Sequence, residues 1–230
     1  MVTIVDYGAG NLTSVKNAFA TLGVETETVR GAKSVERAER VVFPGVGAAK
    51  SAMENLERFG LTDAVRAAPR VVFPGVGAAR SAMDNLRELG LVEAVKDAAR
   101  EKPFLGICLG MQILFERSDE DGGVDTLGVV PGRVRRFPDV PGFKVPEIGW
   151  NDVRVRGESA AELGPLVDGL EFYFVHSYYA EVGSATVGVA EYAGTEFTAV
   201  VRKGALWACQ FHPEKSGRIG LNLLKGWLSC

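Results

Sequence analysis

The chain has 230 residues, 47% of them hydrophobic, with 26 Lys and Arg against 29 Asp and Glu for a formal net charge of −3. That suits one α/β domain over residues 1–230 with a sizeable core, and charges alternating over helix-like faces, from Glu54 to Arg58 and from Arg87 to Lys96, leave no basic stripe for nucleic acid. No stretch is long and apolar enough to span a membrane, the opening Met1-Val2-Thr3-Ile4-Val5-Asp6 lacks a signal-peptide pattern, and cysteines 108, 209 and 230 with only two histidines make neither a disulfide framework nor an easy metal site, so a cytoplasmic protein without a cofactor is expected.

Short apolar runs alternate with helical patterns through the first half: a strand at 2–5, a helix near 12–22, a strand at 24–29, another at 41–43 and one at 104–107. Such alternation predicts βαβ units and a parallel sheet. Gly8-x-Gly10 after the first strand hints at dinucleotide binding, but Thr13 replaces the third glycine of that fingerprint and a tight turn explains the first two.

Residues 41–70 recur as 71–100 with 20 of 30 positions identical. Two copies are too few for a solenoid. Each offers a strand, a Pro-Gly-Val-Gly turn and an amphipathic helix, yet only one can lie beside the strand at 104–107. The second copy is favoured, because one helical stretch carries it directly into that strand. Pro69 interrupts the first copy's helix where the second has Ala99. The first copy keeps direct continuity with the strand at 24–29, so the assignment stays open between them.

Pro103-Phe104-Leu105-Gly106-Ile107-Cys108-Leu109-Gly110-Met111-Gln112 runs a buried-strand pattern into a glycine-flanked turn and an amphipathic helix. Glycines two before and two after Cys108 permit the sharp bend of a nucleophile elbow. A helix N-terminus behind the sulfur would favour thiolate and supply N–H groups to an oxyanion.

From about residue 127 the pattern changes to closely spaced strands at 134–137, 152–156, 172–179, 186–192, 198–202 and 205–211, read as an antiparallel meander closed by a helix at 217–228. The last strand ends in Phe211-His212-Pro213-Glu214. Pro213 biases His212 toward extended backbone, where residues i and i+2 face the same way. Glu214 can then hold one imidazole nitrogen while the other faces Cys108, the nucleophile, base and orienter arrangement of acyl transfer.

Gly106 to Gln112, the Pro-Gly-Val-Gly turns, Phe172-Tyr173-Phe174-Val175-His176-Ser177-Tyr178 and Gln210 to Ser216 together resemble class I glutamine amidotransferases, and more narrowly the glutaminase subunits of imidazole glycerol phosphate synthases. The similarity spans essentially the whole chain, including Asp6 to Asn11, and departs only in the duplication. It implies a flavodoxin-like open mixed sheet with helices on both faces and an antiparallel C-terminal portion. It also implies a triad of Cys108, His212 and Glu214 that hydrolyses glutamine to glutamate and ammonia.

Oxyanion stabilisation would come from Leu109 and from Gly75, Val76 and Gly77, or from Gly45, Val46 and Gly47 if the first copy fills the slot. Gln112, Glu120, His176, Ser177 and Tyr178 would form the glutamine pocket. The implied partner is a (β/α)8-barrel cyclase in a heterodimer of histidine biosynthesis, with Asn11, Trp150 and Lys215 near the interface. A competing reading is a non-catalytic scaffold whose oxyanion strand has been displaced by the duplication.

Overall fold

A computed structural model describes residues 2–5, 12–29, 41–42, 71–75, 77–88, 90, 92–156 and 168–228. In chain order these give strands β1 (Val2–Val5), β2 (Thr26–Val29), β3 (Val41–Val42), β4 (Val71–Gly75) and β5 (Phe104–Cys108), then short β6 (Arg117–Ser118) and β7 (Val124–Asp125). There follow β8 (Arg133–Arg136), β9 (Glu147–Val155), β10 (Leu170–His176), β11 (Tyr178–Ala180), β12 (Thr186–Tyr192), β13 (Thr195–Lys203) and β14 (Leu206–Cys209). The helices are α1 (Leu12–Thr21), α2 (Ala79–Glu88), α3 (Val92–Glu101), α4 (Leu109–Gln112) and α5 (Gly217–Leu228).

Ten strands form one mixed sheet in the order β10-β9-β12-β13-β14-β5-β4-β3-β1-β2. From β14 across to β2 every pairing is parallel, whereas β13–β14, β12–β13, β12–β9 and β10–β9 are antiparallel. The second half is therefore more than a meander: β11, β8, β6 and β7 leave the main sheet for a separate four-stranded one. Both repeat copies contribute strands. β4 of the second copy lies against β5 with Gly75 opposite Cys108, while β3 of the first copy sits between β4 and β1.

Alternation along β5 and β14 divides the core between the faces of the sheet. Phe104, Leu206 and Ala208 pack with α2, α3 and the small sheet, whereas Leu105, Ile107, Trp207 and Cys209 pack with Phe19 of α1 and Leu223, Leu224 and Trp227 of α5. A cluster of Phe137, Phe174, Phe197 and Phe211 makes edge-on ring contacts beside the site, each ring worth about 3–5 kcal/mol against alanine.

Two predicted helices take a different shape in the structure. The second copy's single helical stretch is broken into α2 and α3 around Gly90, whose φ of 63° and N–H donated to the Arg87 carbonyl at 3.0 Å end α2. The helix behind Cys108 is a single buried turn, α4, rather than an amphipathic helix, so its dipole is correspondingly small.

Candidate active site

Cys108 stands at the carboxyl end of β5, between β4 and β14, where open α/β sheets place their sites. Its backbone has φ 54° and ψ −114°, a conformation that costs a non-glycine residue energy and is retained where the surroundings enforce it. The glycine signal has a concrete cause: a Cβ on Gly106 would lie 2.9 Å from the Gly110 carbonyl oxygen and 3.2 Å from Ala208 Cβ. Strand and turn touch backbone to backbone, and that contact folds the chain back at Cys108.

His212 arrives from β14's extension. Its N–H donates to the Tyr173 carbonyl at 2.9 Å, Ser216 Oγ donates to the His212 carbonyl at 2.7 Å, and the Tyr173 N–H donates to Ser216 Oγ at 3.0 Å. Ser216 thus clamps the histidine to β10. Gly220 of α5 completes the seat, since any Cβ there would strike the Pro213 carbonyl.

Glu214 Oε1 lies 2.7 Å from His212 Nδ1. His212 is extended as expected (φ −102°, ψ 94°), but Glu214 reaches it through a 3-10 turn over Pro213–Lys215 and not along a continuing strand. His212 Nε2 is buried with no aligned hydrogen-bond partner. Burial alone would lower the His212 pKa, but interactions with Cys108 and with Glu214 outweigh it and push it up to about 10. The interaction with the sulfur favours the protonated ring. At Cys209, next door, complete burial raises the pKa well above the ordinary thiol value and so favours the neutral thiol, whose Sγ donates to the Phe211 carbonyl at 3.5 Å.

A cavity of about 440 Å³ opens onto this pair, lined by Gly77, Leu109, Gln112, Glu120, Pro146, Val175, His176, Ser177, Tyr178 and Lys215. Gly77 has φ 112°, a backbone state closed to most L residues. Glu120 Oε2 accepts the Ala79 N–H at 2.6 Å, capping α2 directly after the second Pro-Gly-Val-Gly turn. Burial raises the Glu120 pKa, the Ala79 hydrogen bond lowers it and Asp121 raises it again. Gln112 Nε2 donates to the Tyr178 carbonyl at 2.6 Å and to Gln210 Oε1 at 3.0 Å.

The copies differ where the second one is held. Arg80 donates to the carbonyls of Asp121 and Gly123, each at 2.9 Å, and Arg87 to the Asp125 carbonyl at 3.1 Å. At the matching positions the first copy has Lys50 and Glu57. Both Arg80 bonds leave one nitrogen, Nη2, so the lysine at position 50 differs in reach and rigidity and not in donor number, whereas an ionised glutamate at position 57 has no proton to donate to a carbonyl.

Of the remaining predicted residues, Trp150 is 55% exposed on β9, its ring edge-on to Tyr173, and Lys215 Nζ lies 5.8 Å over the same Tyr173 ring. Asn11, Val76, Gly45, Val46 and Gly47 fall outside the described residues. Sequence reasoning assigned no role to Gln210, Ser216 or Glu147. Gln210 opens the motif at residues 210–216, and its polarity between Cys209 and Phe211 is the signal that marks it. Among the described residues no cluster of His, Cys, Asp and Glu could hold a metal, and no helix is long and apolar enough to cross a membrane.

Residues 3–226 match the glutamine amidotransferase class-I family. The chain is 43% identical to the imidazole glycerol phosphate synthase subunit HisH of Dechloromonas aromatica, covering 99% of this chain and 95% of that protein. It is 37% identical to the HisH subunit of Streptococcus sanguinis, covering 98% and 94%. The chloroplastic imidazole glycerol phosphate synthase hisHF of Arabidopsis thaliana is 38% identical over 99% of this chain but only 34% of its own length. Among solved structures, a glutamine amidotransferase superposes with a TM-score of 0.62 at 19% identity, covering 99% of this chain and 97% of that one, which is a likeness of fold. The chain thus belongs to the glutamine amidotransferase class-I family, within the group of imidazole glycerol phosphate synthase HisH subunits.

Proposed function

We propose that the chain hydrolyses glutamine through Cys108, His212 and Glu214 and passes the ammonia to a cyclase partner that forms imidazole glycerol phosphate and an aminoimidazole carboxamide ribotide. The supporting observation is a strained cysteine at φ 54° beside a buried histidine whose far nitrogen is 2.7 Å from a carboxylate. Cys108 thiolate attacks the side-chain carboxamide carbon, and collapse of the tetrahedral intermediate breaks the C–N bond. His212, cationic up to about pH 10, gives its proton to the leaving nitrogen. It then takes a proton from the water that cleaves the thioester to glutamate.

The oxyanion is stabilised by Leu109 and the turn at Gly75, Val76 and Gly77, the copy whose Gly75 pairs with Cys108. Gln112, Glu120, His176, Ser177 and Tyr178 hold the glutamine. The partner is a (β/α)8-barrel cyclase, meeting the chain near Asn11, Trp150 and Lys215 in a cytoplasmic heterodimer. The joined relative in Arabidopsis, of which this chain covers only part, agrees with such pairing.

Glutamate release measured with and without a cyclase loaded with its nucleotide substrate tests this. Release is expected to be slow alone and to rise in the complex by about two orders of magnitude or more, the worth of one well-placed oxyanion donor. Equal, negligible release in both would leave a scaffold subunit.

A further inference from the structure

Gln210 is fully buried at the end of β14, and its amide touches the nucleophile: Nε2 lies 3.8 Å from Cys108 Sγ. Which end of a glutamine amide faces a neighbour is normally ambiguous, but here the network decides it. The Tyr178 carbonyl can only accept, so the Gln112 atom 2.6 Å away is its NH2 group. The Gln210 atom 3.0 Å from that NH2 must then be its carbonyl oxygen. The NH2 of Gln210 is left aimed at the sulfur. Tyr178's carbonyl is itself fixed by a second donor, His176 Nδ1 at 2.8 Å, and His176 Nε2 faces Glu147 Oε2 at 3.1 Å.

We propose that Gln210 is a second donor to the Cys108 thiolate, supplementing His212, and that Gln112 is the positioning residue that keeps its amide in that orientation. This rests on the glutaminase reading only for its effect on turnover. A neutral N–H donor stabilises an anionic sulfur more than a thiol, and because Gln112 anchors its amide it stays at the sulfur when His212 gives up its proton. The other titratable groups around the sulfur are His212, backed by Glu214, and Cys209, with Glu120, Tyr178, Lys215 and His176, backed by Glu147, lining the same cavity.

The test is iodoacetamide alkylation of the full-length chain from pH 5 to 10, followed at the Cys108 peptide by mass spectrometry. Gln210→Met keeps the bulk and removes the donor, and should move the midpoint up by about one pH unit. Gln210→Glu places a carboxylate at the sulfur and should move it up further. In the cyclase complex Gln210→Met should lower kcat about tenfold with KM within about twofold.

Wild-type and Gln210→Met profiles that superimpose, or a Gln210→Glu midpoint at or below that of Gln210→Met, would overturn the proposal. Should either Gln210 variant fail to fold, Gln112→Met frees the amide to turn and should shift the midpoint in the same direction by a smaller amount. No shift there overturns it too. If the wild-type complex releases no glutamate, the glutaminase reading falls while the alkylation order still decides the role of Gln210.

Discussion

The molecule buries two histidines, each beside a carboxylate, and uses them differently. His212 has Glu214 at 2.7 Å on Nδ1 and an unpartnered Nε2 beside a thiol. His176 has Nδ1 on the Tyr178 carbonyl at 2.8 Å and Nε2 3.1 Å from Glu147 Oε2, within ion-pair distance but without an aligned hydrogen bond. Under the proposed function, the same residue pair at similar depth serves as a proton carrier in one place and a brace in the other. What separates them is the neighbour of Nε2, a thiol at His212 and a carboxylate at His176.

The sharpest way to break the comparison is to truncate each ring. His212→Ala should lower glutamate release in the complex by about three orders of magnitude, whereas His176→Ala should act mainly through KM, measured in the same titration. Comparable kcat losses would erase the distinction. Next in size, Glu214→Gln removes a group that raises the His212 pKa, so the alkaline limb of the rate profile, set by loss of the imidazolium near pH 10, should move to lower pH. An accompanying fall in kcat of about a hundredfold is expected. The smallest effect on turnover belongs to Glu147→Gln, with kcat within about threefold and about 1–3 kcal/mol lost in denaturant unfolding. A Glu147→Gln profile whose alkaline limb also moved would place that carboxylate in the proton path.

Legibility in the sequence followed the range of the interactions. The elbow was readable because Gly106, Cys108 and Gly110 solve a local steric problem within five residues, and His212 with Glu214 because a single proline separates them. Even there the pairing was right while the backbone route, a 3-10 turn, was not the extended one expected. Glu147 and His176 are 29 residues apart and meet only through the β9–β10 register. Gln210 reaches Cys108 across 102 positions. No periodicity encodes such distances. The exposure of Trp150 likewise depends on which face of β9 is left uncovered, and helical spacing in the second copy could not reveal that Gly90 turns the chain instead of continuing it.

The first repeat copy has a consequence at the scale of the whole sheet. Because β3 lies between β4 and β1, the β1 strand stands three positions from the Cys108 strand where a single copy would leave two. At the usual separation of about 4.8 Å per strand, the row of strand ends around the elbow is one strand longer on its β1 side. The duplicated strand is a spacer: it leaves the chemistry at β4 and β5 in register and lengthens the molecule's footprint.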